Sequence, residues 1–280
     1  MANAKTNAAY APYGSPMLSM RNVSKTFNRG TVTEKRALTD INLDLQQGDF
    51  VTIIGGNGAG KSTLLNMVAG VYPLDAGTIT LDGVDVSRLS EPARAKYLGR
   101  VFQDPMRGTA PDMQIDENLA LARRRGQRRT LAWGISKEEK AEYPDLLKEL
   151  DLGLESRLES KVGLLSGGQR QAPTLLMATI TEPKLLLLDE HTAALDPKTA
   201  AKVLGLTQKL VTERHLTTLM VTHNMHDAIR LGNRLIMMNE GTIIYDVRGE
   251  EKAHLTVADL LQKFEEVSGG EFANDRMLLS

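Results

Sequence analysis

The chain predicts an α/β fold built on a largely parallel sheet. Three observations carry that reading. Short apolar runs of strand length alternate with helix-period segments, a glycine-rich turn joins one strand to a helix, and another strand ends on paired acids. The strand-like runs are Phe50 to Ile54, Gly77 to Leu81, Leu185 to Leu188, Thr217 to Val221, Arg234 to Met238 and Thr242 to Tyr245.

Taken in order, residues 1–16 hold two tyrosines among scattered Ala, Asn, Gly and Pro, with no basic start followed by an apolar block, so they read as a loose tail rather than a signal peptide. The strand Phe50 to Ile54 runs into Gly55-Gly56-Asn57-Gly58-Ala59-Gly60-Lys61-Ser62-Thr63, and Leu64, Leu65, Met67 and Val68 then follow at helical spacing. From about Asp104 to Glu182 strand signals vanish, charge rises, and Leu146, Leu147, Leu150 and Leu154 recur with a helical period. We read a helical insertion there. It contains Arg123-Arg124-Arg125-Gly126-Gln127-Arg128-Arg129, a cluster that fits either a contact with anionic headgroups or a partner's acidic surface, or a solvated loop. Asp196 before Pro197 is a helix start, an N-cap followed by a pre-set first turn, and Ala200, Val203, Leu204, Leu210 and Val211 give that helix an apolar stripe. Beyond Glu250 a helix-like segment, Leu255 to Phe264, leads into a polar end. The expected organisation is a tail over 1–16, one domain over 17–250 with its core in 17–103 and 183–250 and a helical subdomain over 104–182, and a short C-terminal helix and tail over 251–280.

A chain of 280 residues, 41% hydrophobic and 25% charged, can bury a sizeable core. With 34 basic against 35 acidic residues its net charge is -1, so nothing draws it as a whole toward nucleic acid, and no nucleic-acid partner is expected. The absence of cysteine excludes disulfides and thiolate metal sites. The longest apolar run, Leu185 to Leu188, is far short of a membrane span.

Chemistry concentrates in three stretches. In Gly55 to Thr63 the glycines let the backbone curl so that successive N–H groups face phosphate oxygens, and the helix that follows adds the positive end of its dipole. Lys61 supplies a mobile point charge for the β and γ phosphates, and the Ser62 hydroxyl can ligate Mg²⁺. A four-position match of this kind arises by accident in roughly one chain in a hundred. In Leu185 to Glu190 a buried strand delivers two carboxylates to its carboxyl end, where ligands sit in open α/β sheets: Asp189 suited to Mg²⁺, Glu190 to accepting a proton from attacking water. The third stretch is Leu165-Ser166-Gly167-Gly168-Gln169, a run rarer by chance than the phosphate loop.

Together these motifs resemble the nucleotide-binding subunit of the ATP-binding-cassette (ABC) transporters, over about residues 17 to 250. The resemblance implies the P-loop NTPase core of that family, with a mixed sheet, an antiparallel β part and an inserted helical subdomain. It also implies ATP and Mg²⁺ as ligands, and a dimer of two copies in which Leu165 to Gln169 of one chain closes over ATP on the P-loop of the other. On the same pattern Phe27 is similar to the ring that stacks on adenine, though a lone Phe in an apolar strand also reads as core. Gln103 resembles the residue that contacts Mg²⁺ and water, His223 the switch histidine at the γ-phosphate, and Asp196 the acid that links the two sites, its N-cap role being a sufficient alternative. His226 could suggest a metal pair with His223, but no further ligands stand nearby. Two positions depart from the family. Pro173 removes a backbone donor within the helix begun by the signature, and His191 stands after the base where most relatives carry Pro.

The function implied is an ATPase docked under two permease subunits on the cytoplasmic face of the membrane, fed by a solute-binding protein, and importing a small solute. The alternatives are an exporter or lipid extractor, a ribosome-acting cassette protein, and a nucleotide-binding regulator without turnover.

Overall fold

The computed structural model describes residues 16–127 and 134–268. The expected N-terminal tail up to residue 15, Arg128 and Arg129, and the expected C-terminal tail over 269–280 lie outside the described residues. Among the described residues the strands are β1 (Leu18–Phe27), β2 (Lys35–Leu45), β3 (Phe50–Gly55), β4 (Ala76–Leu81), β5 (Val84–Asp85), β6 (Leu98–Val101), β7 (Leu185–Asp189), β8 (Thr218–Val221), β9 (Arg234–Asn239) and β10 (Thr242–Arg248). The helices are α1 (Lys61–Ala69), α2 (Glu91–Arg94), α3 (Ile115–Arg123), α4 (Lys137–Lys148), α5 (Gly167–Thr179), α6 (Pro197–Glu213), α7 (Met225–Arg230), α8 (Gly249–Ala253) and α9 (Val257–Ser268).

Two sheets form. The larger has the order β10-β9-β3-β8-β7-β6, parallel throughout except for the antiparallel edge strand β10. The smaller is antiparallel, in the order β2-β1-β4-β5. The mixed α/β architecture expected from the motifs is therefore present, with the antiparallel part at the front of the chain. Strands β3, β7, β8 and most of β9 are buried on both faces, which is why they read as continuous apolar runs.

One core lies between the two sheets around α1, joining Leu18, Met20, Leu38 and Ile79 to Leu64, Leu65 and Val68. The opposite face of the parallel sheet packs Leu186, Leu188 and Met220 against Leu175 and Leu176 of α5 and Leu204 and Leu210 of α6. A third cluster seats α7 and α9 against β9 and β10 through Met225, Leu235, Leu260 and Phe264.

Helices α3, α4 and α5 fall between Asp104 and Glu182. There the first three arginines of the run have partners within the chain. Arg123 pairs with Glu142, Arg124 with Glu139 at 2.8 Å, and Arg125 donates to Ala178 O at 3.0 Å and Thr181 Oγ1 at 2.7 Å. These three tie α3 to α4 and α5 instead of standing free in water. Helix α5 continues through its buried seventh residue, Pro173, to Thr179, so the missing donor does not end it.

Candidate functional site

Four adjacent parallel strands, β3, β8, β7 and β6, end side by side, and each hands a different motif to the same edge. The P-loop follows β3, His223 follows β8, Asp189 and Glu190 close β7, and Phe102-Gln103 follow β6. Sequence separations of more than a hundred residues thus collapse into neighbouring strand ends, the position where open α/β sheets bind ligands.

The P-loop is shaped for an anion. Gly60, with φ 101, is the N-cap of α1, and a Cβ there would lie 2.6 Å from Ala37 O. No side chain caps α1 and its first turn holds no acid, whereas the N-cap side chains of α4, α5 and α6 each accept a backbone N–H. The first N–H groups of α1 are left for an external acceptor. Lys61 is buried at 7% exposure, and its ammonium donates to Gly55 O at 2.7 Å and Gly56 O at 3.1 Å. Burial pulls its pKa down, against the pull of Glu190 and Asp189. At the other end of α1 the buried Arg94 donates to Met67 O, Val68 O, Leu89 O and Ser87 O, neutralising the helix's carbonyl end.

Ser62 Oγ donates to Asp189 Oδ1 at 3.1 Å. Burial raises the Asp189 carboxyl, opposed by that bond and by Arg100. Both residues, with Gln103, line a cavity of about 740 Å³ that also takes in Asn66, Tyr72 and Arg100. Arg100, whose guanidinium donates to Asn66 Oδ1 at 2.6 Å, went unnoticed in the sequence because an arginine inside a short strand carries no motif. No group of three or more His, Asp or Glu able to hold a metal occurs among the described residues. One hydroxyl and one carboxylate suit a cation that keeps water and phosphate ligands, as Mg²⁺ does.

Glu190 Oε2 faces His223 Nδ1 at 3.8 Å, an ion-pair distance. The imidazole is the chief influence holding the Glu190 carboxyl below its usual range, and the carboxylate in turn raises His223. Glu190 itself has φ 45, a left-handed conformation unusual for a residue with a side chain. The next residue, His191, is 1% exposed; its Nε2 lies 3.0 Å from Thr207 Oγ1 on α6, and burial pushes its pKa down to about 4.

Phe27 is half-buried, its ring edge-on to Tyr72 at 5.0 Å with Lys25 Nζ 5.6 Å from its centroid. Asp196 caps α6 by accepting from Thr199 N at 3.1 Å. The signature run faces outward. Ser166 and Gly167 are exposed, Ser166 Oγ accepts from Gln169 N as the N-cap of α5, and that hydroxyl's own proton remains available. Gly168 packs against Thr199 of α6, and none of the run's hydrogen bonds among the described residues reaches the P-loop of the same chain.

Comparison with known proteins agrees with this geometry. The family model described as ABC transporter matches residues 38–193. The tyrosine transport ATP-binding protein of Clostridioides difficile is 45% identical over 89% of this chain and 99% of its own length. The spermidine/putrescine import ATP-binding protein PotA of Haemophilus influenzae is 33% identical over 84% of the chain, which spans only 59% of that relative. Among solved structures, a dimeric post-hydrolysis state of an ATP-binding cassette bound to ADP and Pi superimposes with TM-score 0.71 at 30% identity, covering 83% of this chain and 98% of that one.

Proposed function

We propose that this chain, which belongs to the ABC transporter family and is its ATP-hydrolysing subunit, works as a pair of copies that drive import of a small solute, an amino acid, through permease subunits. The observation that carries this reading is the split arrangement of the site. P-loop, paired acids, Gln103 and His223 share one sheet edge, while the exposed Ser166 hydroxyl and Gly167 N–H point outward with no acceptor among the described residues, the Ser166 N–H alone being taken by Gln169. The dimeric cassette with ADP and Pi supports a second copy as the missing half.

In this reading Gly55 to Thr63 cradle the polyphosphate and Lys61 turns from the loop carbonyls to the β and γ oxygens. Phe27 stacks on adenine, and Leu165 to Gln169 of the second copy complete the γ-phosphate site. Ser62, Asp189 and Gln103 would hold Mg²⁺, which neutralises phosphate charge when bound. Glu190 accepts the proton of attacking water, with His223 positioned beside it to donate to the γ-phosphate. Asp196 stands at the boundary between the sites through its cap on α6.

No helix among the described residues is long and apolar enough to cross a membrane, so the permease is a separate partner in this scheme. A second cavity of about 990 Å³, lined by Arg107, Thr109, Ala110 and Met113 and by α3 and α5, supports docking of the permease beside the segment Pro105 to Ile115, on the cytoplasmic face. A solute-binding protein would deliver the cargo outside. Import is favoured over export by the polyamine relative, which is an import ATP-binding protein. Glu190→Gln is the test: it is expected to keep ATP binding, lower turnover by roughly 10²- to 10⁴-fold and trap a dimer on size-exclusion chromatography. Wild-type ATPase rates in that variant would overturn the assignment of the base.

A further inference from the structure

We infer that His191 is a positioning residue for hydrolysis: its hydrogen bond to Thr207 fixes the strand end that carries Glu190 against helix α6. The inference rests on the reading of Glu190 as the base given above.

Glu190 is held in the left-handed region at φ 45, where a residue with a side chain stays only if its surroundings over-determine it. Two backbone bonds contribute, Glu190 N to Val221 O at 3.0 Å and Ala193 N to Glu190 O at 3.0 Å. The third restraint is the next side chain. His191 is 1% exposed and Thr207, on the inner face of α6, is fully buried, so no water competes for the contact between them.

The direction of the bond follows from proton count. Thr207 Oγ1 has one proton, which goes to Val203 O at 2.9 Å, so the hydroxyl accepts and His191 Nε2–H donates. That assignment leaves Nδ1 as a bare acceptor, and Nδ1 indeed has no partner among the described residues. A buried imidazole satisfied on one side only is costly compared with an apolar side chain of similar size. What it supplies in exchange is the single directed bond to α6.

Helix α6 is a firm anchor. Asp196 caps its start, and Val203, Leu204, Leu210 and Val211 are buried along it. Because a base acts only within hydrogen-bond reach of its proton, a drift of about 1 Å at Glu190 can cost on the order of 100-fold in rate. The same helix carries Thr199, against which signature Gly168 packs, so the base of one nucleotide site and the signature offered to the other share one support.

The test compares Thr207→Val, which keeps the shape and removes the acceptor, with Thr207→Ser, which keeps it, in the homodimer under steady-state and single-turnover conditions. Thr207→Val is expected to lower kcat by roughly 10- to 100-fold with KM for ATP within about twofold, Thr207→Ser to retain wild-type kcat, and Thr207→Val added to Glu190→Gln to cause no further loss of single-turnover rate. If Thr207→Val does not fold, as judged by circular dichroism, His191→Asn, too short to reach Thr207, takes its place with the same expectations. Unchanged kcat overturns the inference. So does a loss that persists undiminished in the Glu190→Gln background, which would mean the bond acts on the fold at large. Wild-type turnover in Glu190→Gln alone would identify the base assignment, not the His191 contact, as the error.

Discussion

Gly168→Ala tests whether the outward-facing signature is a rigid feature. The added Cβ would lie closer than 3.0 Å to the γ-methyl of Thr199, whereas two carbons prefer about 3.5–4.0 Å. Relief therefore requires the first turn of α5 or the side chain of Thr199 to move by more than about 1 Å. Thr199 sits in the first turn of α6, where a β-branched side chain has few χ1 wells and its backbone N–H is engaged by Asp196. The displacement falls on α5, whose exposed Ser166 and Gly167 would be carried off line. A 1 Å misplacement of groups that complete a site costs about 100-fold in rate, equivalent to about 2.7 kcal/mol of transition-state stabilisation. ATP binding to a single chain is expected to be unchanged, because the P-loop lies on a different set of contacts. The assays are steady-state phosphate release and titration with a fluorescent ATP analogue. Thr199→Ala in the same chain removes the obstructing methyl and leaves Thr199 Cβ, at 3.3 Å, as the nearest atom, so the double variant is expected to recover most of the rate. Full activity in Gly168→Ala, or no recovery in the double variant, would refute the packing argument.

Three further outcomes follow from the same geometry. Lys252, 2% exposed, donates to Ile229 O, Leu231 O and Gly232 O at the end of α7, and burial pushes its pKa down to about 8 from 10.5. Between those values the unfolded chain binds the extra proton, so wild-type stability is expected to rise relative to Lys252→Met as pH increases from about 8 to 10.5, by up to about 3 kcal/mol in urea unfolding; parallel curves would contradict this. The His223 imidazole is expected to titrate above 6.5 by NMR and to fall back in Glu190→Gln, and an identical titration in both proteins would deny the pairing. Arg94→Met strips four carbonyls of their buried donor and is expected to cost about 3–5 kcal/mol, read as a clear drop in melting temperature; a change of under 1 kcal/mol would show that these bonds are not needed to close α1.

Six of the strands among the described residues were visible in the sequence, five as runs in the larger sheet and β4, in the antiparallel sheet, through its Ile79 and Leu81. Strand β1 was not, since its alternation is broken by register shifts between Met20 and Val23 and again near Lys25, with Asn22 at φ 49. Strand β2 alternates apolar and polar residues over Ile41 to Leu45, so it forms no continuous apolar run, and β6 is only four residues with an arginine inside. The placement of the candidate site was legible wherever one local string carries it, as in the P-loop and the Asp189-Glu190 end. What escaped were partnerships made across the chain. Phe27 meets Tyr72 and Lys25 meets Asp75 through β1 and the loop before β4, and no local pattern announces such a contact. His191 was noticed only as an unusual residue after the base; its partner sixteen positions on, Thr207, had no signal of its own. The arginines after Ala122 looked like a free charge cluster because their acceptors belong to α4 and α5.

The Lys61 ammonium, gripped by two carbonyls of its own loop, bears on how tightly the chain can hold a polyphosphate. A free lysine side chain gives up about 1.5–2 kcal/mol of rotamer entropy when a ligand immobilises it. Here that loss is already incurred in folding, since the ammonium is fixed by Gly55 O and Gly56 O. An arriving nucleotide exchanges acceptors around a lysine that is already in place. In the role proposed for Lys61, affinity would then be set by how much better phosphate oxygens accept than peptide carbonyls, with the loop as a preorganised receptor.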